Sequence, residues 1–399
     1  MIKAQTLKGF RDFLPADSIK RQFVIAKIKA SFEKFGFDPL ETPALEYAET
    51  LLGKYGDEAD KLLYLFEDRG GRKVGMRYDQ TVPASRVVAQ YMDLPRPFKR
   101  YQIQPVWRAE NTQRGRFREF LQCDADIYGT DSYLADAELI ALLGSTIKSL
   151  GFNKFTILVN DRTLFGDIPL AAIGVIDKLN KIGPEGVRAE LSEKGFDPTI
   201  LETVKNNKPT ENLKKIIDAV TAFGTDKNMI KFDPTLARGL DYYTSTIMEV
   251  TIDGYDAGSV AGGGRYDKLL GQFTGKDVSA VGFAFGFDRL VEAMELKQLL
   301  PVIPTNTQVL VTIFYEELTP QSLAITSKLR ESGINAEISF DANKLDKQLK
   351  YADKKGIPYV IIQGPEELKN NVMKLKNLKT QEQNTIALST VIDKLHSAS

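Results

Sequence analysis

The sequence predicts an α+β protein: a large mixed domain, interrupted by a small helical insertion and followed by a compact α/β domain. Three observations carry this reading. Strand-like and helical segments are mixed through the first 160 residues and resume near residue 242. Between them, residues 163–231 show helical periods cut by Gly and Pro, with few strand signals. After Pro301, Pro304 and Asn306, strands and helices alternate to the end of the chain. The length of 399 residues divides into two or three units at about 150 residues per domain.

The elements follow in order. Ile19, Phe23, Ala26 and Ala30 recur at helical spacing, Phe32 and Phe35 extend that face, and Gly36 ends it. Asp17 is placed to cap this first helix, behind an irregular lead-in of residues 9–15. Residues 73–128 read as strands broken by one short helix near Thr81–Tyr91, and a helix spans Ser132–Leu150 up to Gly151. Within the insertion, helical periods fall at Leu170–Leu179, Val187–Lys194 and Asn212–Phe223. Strands return at Tyr242–Thr251 and Val281–Phe287. The last domain reads as strand Val309–Phe314, helix Pro320–Glu331, strand Ile334–Phe340, helix Lys344–Lys355 and strand Tyr359–Gln363.

Composition removes several kinds of chemistry. Hydrophobic residues make up 43% and charged residues 27%, the balance of a globular chain rather than a disordered one. No run of 18 apolar residues is present, and residues 1–15 contain no apolar leader segment. Cys123 is the only cysteine, which excludes a disulfide framework and favours a reduced, cytoplasmic setting. His396 is the only histidine and lies at the end of the chain, so His-based nucleophilic triads and His/Cys zinc sites lack their parts. Chemistry is left to carboxylates, arginines, lysines, tyrosines and amides. With 53 basic and 53 acidic residues, a nucleic-acid partner must be held by local patches, not a global field.

The densest polar stretch is Val106–Asp126, VWRAENTQRGRFREFLQCDAD. Arg108, Arg114, Arg116 and Arg118 stand among Glu110, Glu119 and Asp124, and Gly115 marks a turn between two strand-like halves. Alternation assigns Arg108 and Glu110 to one face of this hairpin, and Phe120, Gln122 and Asp124 to one face of its partner strand. A planar guanidinium suits phosphate oxygens in pairs. Further on come LARGLDYYT (236–244), VAGGGRYDKLL (260–270) and GFAFGFDRL (282–290). The run Gly262–Gly264 permits close approach of backbone and ligand, and Arg289 falls at the start of a helix. Taken alone, each piece is a turn or a packing device.

Together they resemble the histidyl-tRNA synthetases, a class II aminoacyl-tRNA synthetase family. The hairpin resembles class II motif 2, and GFAFGFDRL resembles motif 3. LARGLDYYT and AGGGRYD resemble the two peptides peculiar to the histidine enzymes. RYDQTVP (77–83) resembles their substrate-binding strand–turn, and the opening GFRDFLP matches too. The resemblance implies an α+β catalytic domain over 1–304, with an antiparallel sheet flanked by helices and the helical insertion at about 163–231. It also implies an α/β anticodon-binding domain over 305–399, whose segment 343–355 carries five lysines against two aspartates.

The implied reaction joins L-histidine and ATP, with Mg2+, into histidyl-adenylate and then charges tRNA(His), in a cytoplasmic homodimer with no membrane partner. Arg108 is implied at the α-phosphate and substrate carboxylate, and Arg238 at the α-phosphate in place of a metal. Arg289 would hold the γ-phosphate and cover one face of adenine and Phe120 the other, Glu110 would take its amino group, and Arg116 would guide the triphosphate. Asp79, Thr81 and Gln122 resemble the residues that anchor the amino-acid ammonium and backbone. Asp126, Tyr242 and Tyr243 resemble the imidazole readers. Asp79 departs from the Glu common in bacterial members. A rival within the same resemblance is a non-catalytic regulatory subunit of histidine biosynthesis; the retained Arg108, Arg238, Arg289 and end domain rank it below the enzyme.

Overall fold

The computed structural model describes all residues except 1, 54–60, 112–116, 239–241, 343 and 398–399. The chain divides into two compact units, residues 1–12 with 24–300, and residues 13–23 with 301–399. Among the described residues, no helix is long and apolar enough to cross a membrane.

The first unit is built on an eight-stranded sheet. Its elements are α1 (Pro15–Lys34, from Val24), β1 (Asp38–Pro39), β2 (Leu45–Tyr47), β3 (Leu65–Glu67), β4 (Lys73–Met76) and α2 (Thr81–Gln90). Then come β5 (Phe98–Trp107), β6 (Glu119–Tyr128), α3 (Tyr133–Ser149), β7 (Phe155–Asp161), α4 (Leu170–Ile176), α5 (Leu179–Glu193), α6 (Ile200–Lys205) and α7 (Glu211–Ala222). The unit closes with β8 (Ile230–Phe232), β9 (Thr246–Ile252), β10 (Ala261–Arg265), β11 (Ala280–Gly286) and α8 (Phe287–Leu296). The sheet order is β1-β5-β6-β11-β10-β9-β7-β8, while β2, β4 and β3 form a separate small sheet. From β5 to β7 every neighbour is antiparallel, and the edge strands β1 and β8 run parallel to theirs.

The period of two sorts the two faces of this sheet. On β6, Cys123, Ala125 and Ile127 point to one side and Gln122, Asp124 and Asp126 to the other. On the apolar side Phe32 of α1 meets the rings of Tyr101, Phe283 and Phe285. The opposite side is polar and carries the cavities.

Several local expectations change. Helix α1 begins at Pro15, whose fixed φ suits a first turn, so Asp17 lies inside the helix and is not its cap. Strand β5 stops at Trp107, leaving Arg108 and Glu110 beyond the pleat whose alternation was to orient them. Strand β9 starts at Thr246, so Tyr242 and Tyr243 precede it. The turn expected at Gly115 lies outside the described residues. The stretch 163–231 is not one body. Helices α4 to α6 share an apolar cluster containing Val175, Leu191 and Leu201. Helix α7 instead packs on α3, and β8 extends the main sheet.

The second unit holds β12 (Val309–Val311), α9 (Thr319–Glu331), β13 (Ala336–Ile338), α10 (Leu345–Lys355) and β14 (Tyr359–Ile362). It continues with β15 (Met373–Asn377), β16 (Gln383–Ile386) and α11 (Leu388–Ser397). Strands β13, β12 and β14 are parallel, and β15 and β16 add antiparallel. Val309, Val311 and Ile361 face α9 and α11, while Leu310, Val360 and Ile362 pack with Ala352 of α10.

Candidate functional site

Two adjoining cavities open on the polar face of the first unit. One, of about 470 Å³, is lined by Arg108, Glu110, Phe120, Gln122, Arg238 and Arg289, with Gly262, Ser259 and Asp288. The other, of about 430 Å³, is lined by Asp79, Thr81, Arg108, Gln122, Asp126, Arg238, Tyr242 and Tyr243, with Asp177, Glu249 and Tyr266. Tyr78, Arg108, Gln122, Arg238, Gly262 and Ala284 border both and form the wall between them. Every site residue singled out from the sequence thus borders one cavity or both, except Arg116, which lies outside the described residues.

Arg108 is held in a fixed place. Its N–H donates to Arg118 O at 2.9 Å across the base of the hairpin. Its guanidinium lies 4.2 Å from the Tyr78 ring centre and 4.9 Å from that of Phe120. Its Nε donates to Tyr78 O at 3.3 Å, and stacking of this kind fixes a planar cation while leaving its Nη edge for an anion. Arg11, from the opening segment, spans Asp288 at 2.8 Å and the ring of Phe117 at 3.2 Å, tying GFRDFLP to the wall of the first cavity. Arg289 sits in the first turn of α8 and donates to Ser259 O at 3.2 Å.

Arg238 is the strained member. Its φ of 52° lies in the left-handed region, which a non-glycine residue occupies at a cost of about 1–3 kcal/mol. Arg162 donates to the carbonyls of Ala237 and Arg238, and burial raises the carboxyl of nearby Asp177, opposed by the Arg238 charge. Glu249 takes Nη1 at 2.9 Å, while the buried Nε has no hydrogen-bond partner among the described residues. Burial alone would weaken this charge, but Tyr243 and Glu249 hold the guanidinium above its ordinary range.

The glycines serve these side chains. A Cβ on Gly262 would collide with Nη1 of Arg238, and one on Gly282 would collide with Oδ1 of Asp126. Gly263 abuts the backbone of Gly282 and Phe283. The close approach read from the glycine run is therefore made by the protein's own groups.

The second cavity has a polar floor. In register across β5, β6 and β11 lie Arg100, Asp126 and Gly282, then Gln102, Asp124 and Ala284. Asp126 pairs with Arg100 at 2.6 Å and accepts the Tyr266 hydroxyl, which in turn lies 3.2 Å from that of Tyr128. Burial raises the Asp126 carboxyl, opposed by Arg100 and Tyr266. Among the described residues Asp124 has no such ion pair and its Oδ1 no hydrogen-bond partner; burial pushes its carboxyl well up. Asp79 accepts the Val82 N–H at 3.1 Å in the first turn of α2, whose positive end faces the cavity. The rings of Tyr242 and Tyr243 lie 4.8 Å apart, and Tyr242 is 5.6 Å from Tyr266.

Sequence reading missed Arg100, Asp177, Glu249 and Tyr266. Tyr266 had a signal, since it stands inside AGGGRYD. The others had none: a buried strand arginine, a strand glutamate and a helix-end aspartate look ordinary until the fold aims them.

The comparisons agree over nearly the whole chain. The histidyl-tRNA synthetase family model matches residues 9–194 and 198–290, and an anticodon-binding-domain model matches 302–398. A histidine–tRNA ligase of Cytophaga hutchinsonii is 39% identical, covering 99% of this chain and 100% of that protein. One from Rhodopirellula baltica is 40% identical, over 98% of this chain and 96% of that one. The crystal structure of histidyl-tRNA synthetase from Nostoc sp. PCC 7120 superposes with a TM-score of 0.86 at 29% identity, covering all of both chains. With the family model matched over most of its length, the chain belongs to the histidyl-tRNA synthetase family.

Proposed function

We propose that the protein is a histidine–tRNA ligase: it activates L-histidine with ATP and transfers the histidyl group to the 3′ end of tRNA(His). The observation that carries this reading is the shared wall. An amino-acid carboxylate in the second cavity and the α-phosphate of ATP in the first meet at Arg108 and Arg238, the two arginines that border both.

Attack of the carboxylate on the α-phosphate builds negative charge at phosphorus and releases pyrophosphate. Arg108, immobilised between Tyr78 and Phe120, orients both reacting anions and keeps them from repelling one another. Arg238, whose Nη1 is held by Glu249, offers the rest of its guanidinium to the oxygens where charge develops. No histidine or thiol base is required, because a carboxylate is already a nucleophile at neutral pH. Arg289 and Phe120 flank the adenine, Glu110 accepts from its amino group, and Arg116 guides the outer phosphates. Magnesium accompanies the β- and γ-phosphates as part of the ATP substrate and neutralises their charge.

Asp79, Thr81 and Gln122 receive the ammonium end of histidine. Asp126 acts on the imidazole together with Tyr266, Tyr242 and Tyr243. Its two oxygens already engage Arg100 and Tyr266, so the tyrosine hydroxyl presents that charge to the ring. Residues 1–304 serve as the catalytic domain, the helical stretch at about 163–231 grips the acceptor arm, and residues 305–399 bind the anticodon. The working form is a cytoplasmic homodimer.

Histidine-dependent ATP–pyrophosphate exchange on the purified protein tests the first step, and charging of tRNA(His) tests the second. The absence of histidine-dependent exchange above background, from a folded protein, would overturn the reading. It would favour the regulatory-subunit alternative, whose fold is shared by a Bacillus halodurans structure described as an ATP phosphoribosyltransferase regulatory subunit/histidyl-tRNA synthetase (TM-score 0.71).

A further inference from the structure

A buried cation stands behind the imidazole end of the second cavity. Arg100 of β5 is in register with Asp126 of β6, and its Nη2 lies 2.6 Å from Oδ2 of that carboxylate. The two side chains are 0% and 4% exposed, so water does not screen the pair. Nη1 of Arg100 donates to Gln102 Oε1 at 3.4 Å. The other oxygen of Asp126, Oδ1, accepts the Tyr266 hydroxyl, which lies 3.2 Å from that of Tyr128. Asp126 and Tyr266 border the cavity, whereas Arg100 and Tyr128 do not. On the other flank of Asp126, β11 presents Gly282 and adds no charge.

A lone carboxylate in such a place would draw a cation, and an imidazole would enter as imidazolium. Arg100 cancels that attraction at contact distance. Both oxygens of Asp126 are engaged, so the group presented to a ring is the Tyr266 oxygen, an acceptor once its proton is given to Asp126. Neutral imidazole brings one N–H and one bare nitrogen; imidazolium brings two N–H groups and a charge that burial penalises. The neighbouring charges do not replace Asp126. Burial holds the Asp124 carboxyl well up, where it is neutral. Glu249 is paired with Arg238, whose charge also opposes the rise of Asp177. Asp79 and Arg108 stand where the substrate's own ammonium and carboxylate are received. Tyr242 and Tyr243 add hydroxyls and no charge.

We propose that Arg100 sets the charge state of the bound side chain: by neutralising Asp126 it makes the cavity a receptor for neutral imidazole and a poor one for imidazolium. Arg100 is a positioning residue that acts through Asp126 and touches no substrate. The inference rests on the reading of Asp126 and Tyr266 as the imidazole end of the site.

The test is equilibrium titration of the full chain with two ligands, L-histidine and triazolylalanine, an analogue whose less basic ring stays neutral from about pH 5.5 to about pH 7.5. An imidazole that titrates near 6.5 is about nine-tenths protonated at the lower limit, so the Kd for histidine should be about ten-fold higher there than at the upper one. The Kd for triazolylalanine should stay within about three-fold. Arg100→Lys keeps the charge and should keep this pattern. Arg100→Gln should reverse it, improving histidine relative to the analogue by about ten-fold or more at about pH 5.5. Because Arg100→Gln strands a buried carboxylate and can unfold the chain, the comparison is repeated between Asp126→Asn and the double variant Arg100→Gln/Asp126→Asn, in which no anion is stranded. Removing Arg100 there should also shift the ratio toward histidine at acid pH. Three results would each overturn the proposal: a parent chain that binds histidine as tightly at about pH 5.5 as at about pH 7.5, a parallel loss of both ligands, which would place the titration in the protein, or a ratio unmoved by the loss of Arg100 in the folded variants. An Asp126→Asn chain that binds histidine as the parent does at every pH would remove the reading of Asp126 and this inference together. A damaged Asp126→Asn beside a flat parent profile would remove this inference alone.

Discussion

Single side chains set the chemistry of the wall, and each should report a different loss. Arg238→Ala is expected to cut the kcat of pyrophosphate exchange by about 10²–10³ while leaving histidine affinity nearly intact, because the lost donor acts on charge that appears only in the transition state. Equilibrium histidine titration beside steady-state exchange separates the two quantities, and equal losses in both would return Arg238 to a structural role. Asp124 answers to pH instead. Burial raises its carboxyl well above the ordinary 3.8, so the native chain keeps a proton that the unfolded chain has lost. Its contribution to stability is complete below that ordinary value and disappears as pH rises through the raised one, at up to about 1.4 kcal/mol per pH unit in between. Asp124→Asn holds the neutral form at every pH. Urea midpoints taken from about pH 4 to about pH 8 should therefore fall less in the variant than in the parent chain. Parallel curves would mean that Arg100 and Arg108 keep Asp124 ionised throughout.

At the scale of elements, β10 and β11 act by lacking side chains. Gly262 leaves the space that the Arg238 guanidinium fills, and Gly282 the space for the Asp126 carboxylate. Gly262→Ala should reproduce much of the Arg238→Ala rate defect without disturbing ATP binding, and in the Arg238→Ala background the extra methyl should be tolerated. A Gly262→Ala enzyme with normal kcat would show that the strand yields instead of the arginine. This interplay also explains what was legible in the sequence. AGGGRYD announced close approach, and its company with LARGLDYYT and the Arg-rich hairpin announced the family. What approached was not visible, because the glycines and their partners lie 24 and 156 positions apart in the chain. Long, strongly periodic helices such as α3 and α9 were placed to within a residue or two. Strands β15 and β16 lie past Gln363, the end of the last predicted element, although the alternation of Met373 and Leu375 with Lys374 and Lys376 carries the period of a half-buried strand. The partners of the site, Arg100, Asp177 and Glu249, needed the sheet register and a helix end to reveal them. No local pattern of residue types encodes either.

At the scale of the whole chain, the cavities are built entirely from residues before 290, and the unit that begins at Pro301 has its own sheet and two apolar clusters. A chain ending near residue 300 should therefore keep its adenylation chemistry, whereas transfer to tRNA should suffer from the loss of residues 302–398, which the anticodon-binding-domain model matches. The cut has a cost that the catalytic motifs do not reveal: residues 13–23 group with 301–399, so truncation strips neighbours from the first turns of α1. Removing that packing should lower the melting temperature, and the exchange assay belongs well below it. We expect pyrophosphate exchange within about ten-fold of the full chain, a loss of tRNA charging of about 10² or more, and a charging reaction of the full chain that weakens steeply with salt. Sedimentation of both forms shows whether the truncated chain keeps the same oligomeric state, which a comparison of rates requires. Equal losses of exchange and charging in a folded truncation of unchanged oligomeric state would mean that the second unit supports the catalytic site itself. The division of labour between adenylation and tRNA capture would then have to be abandoned.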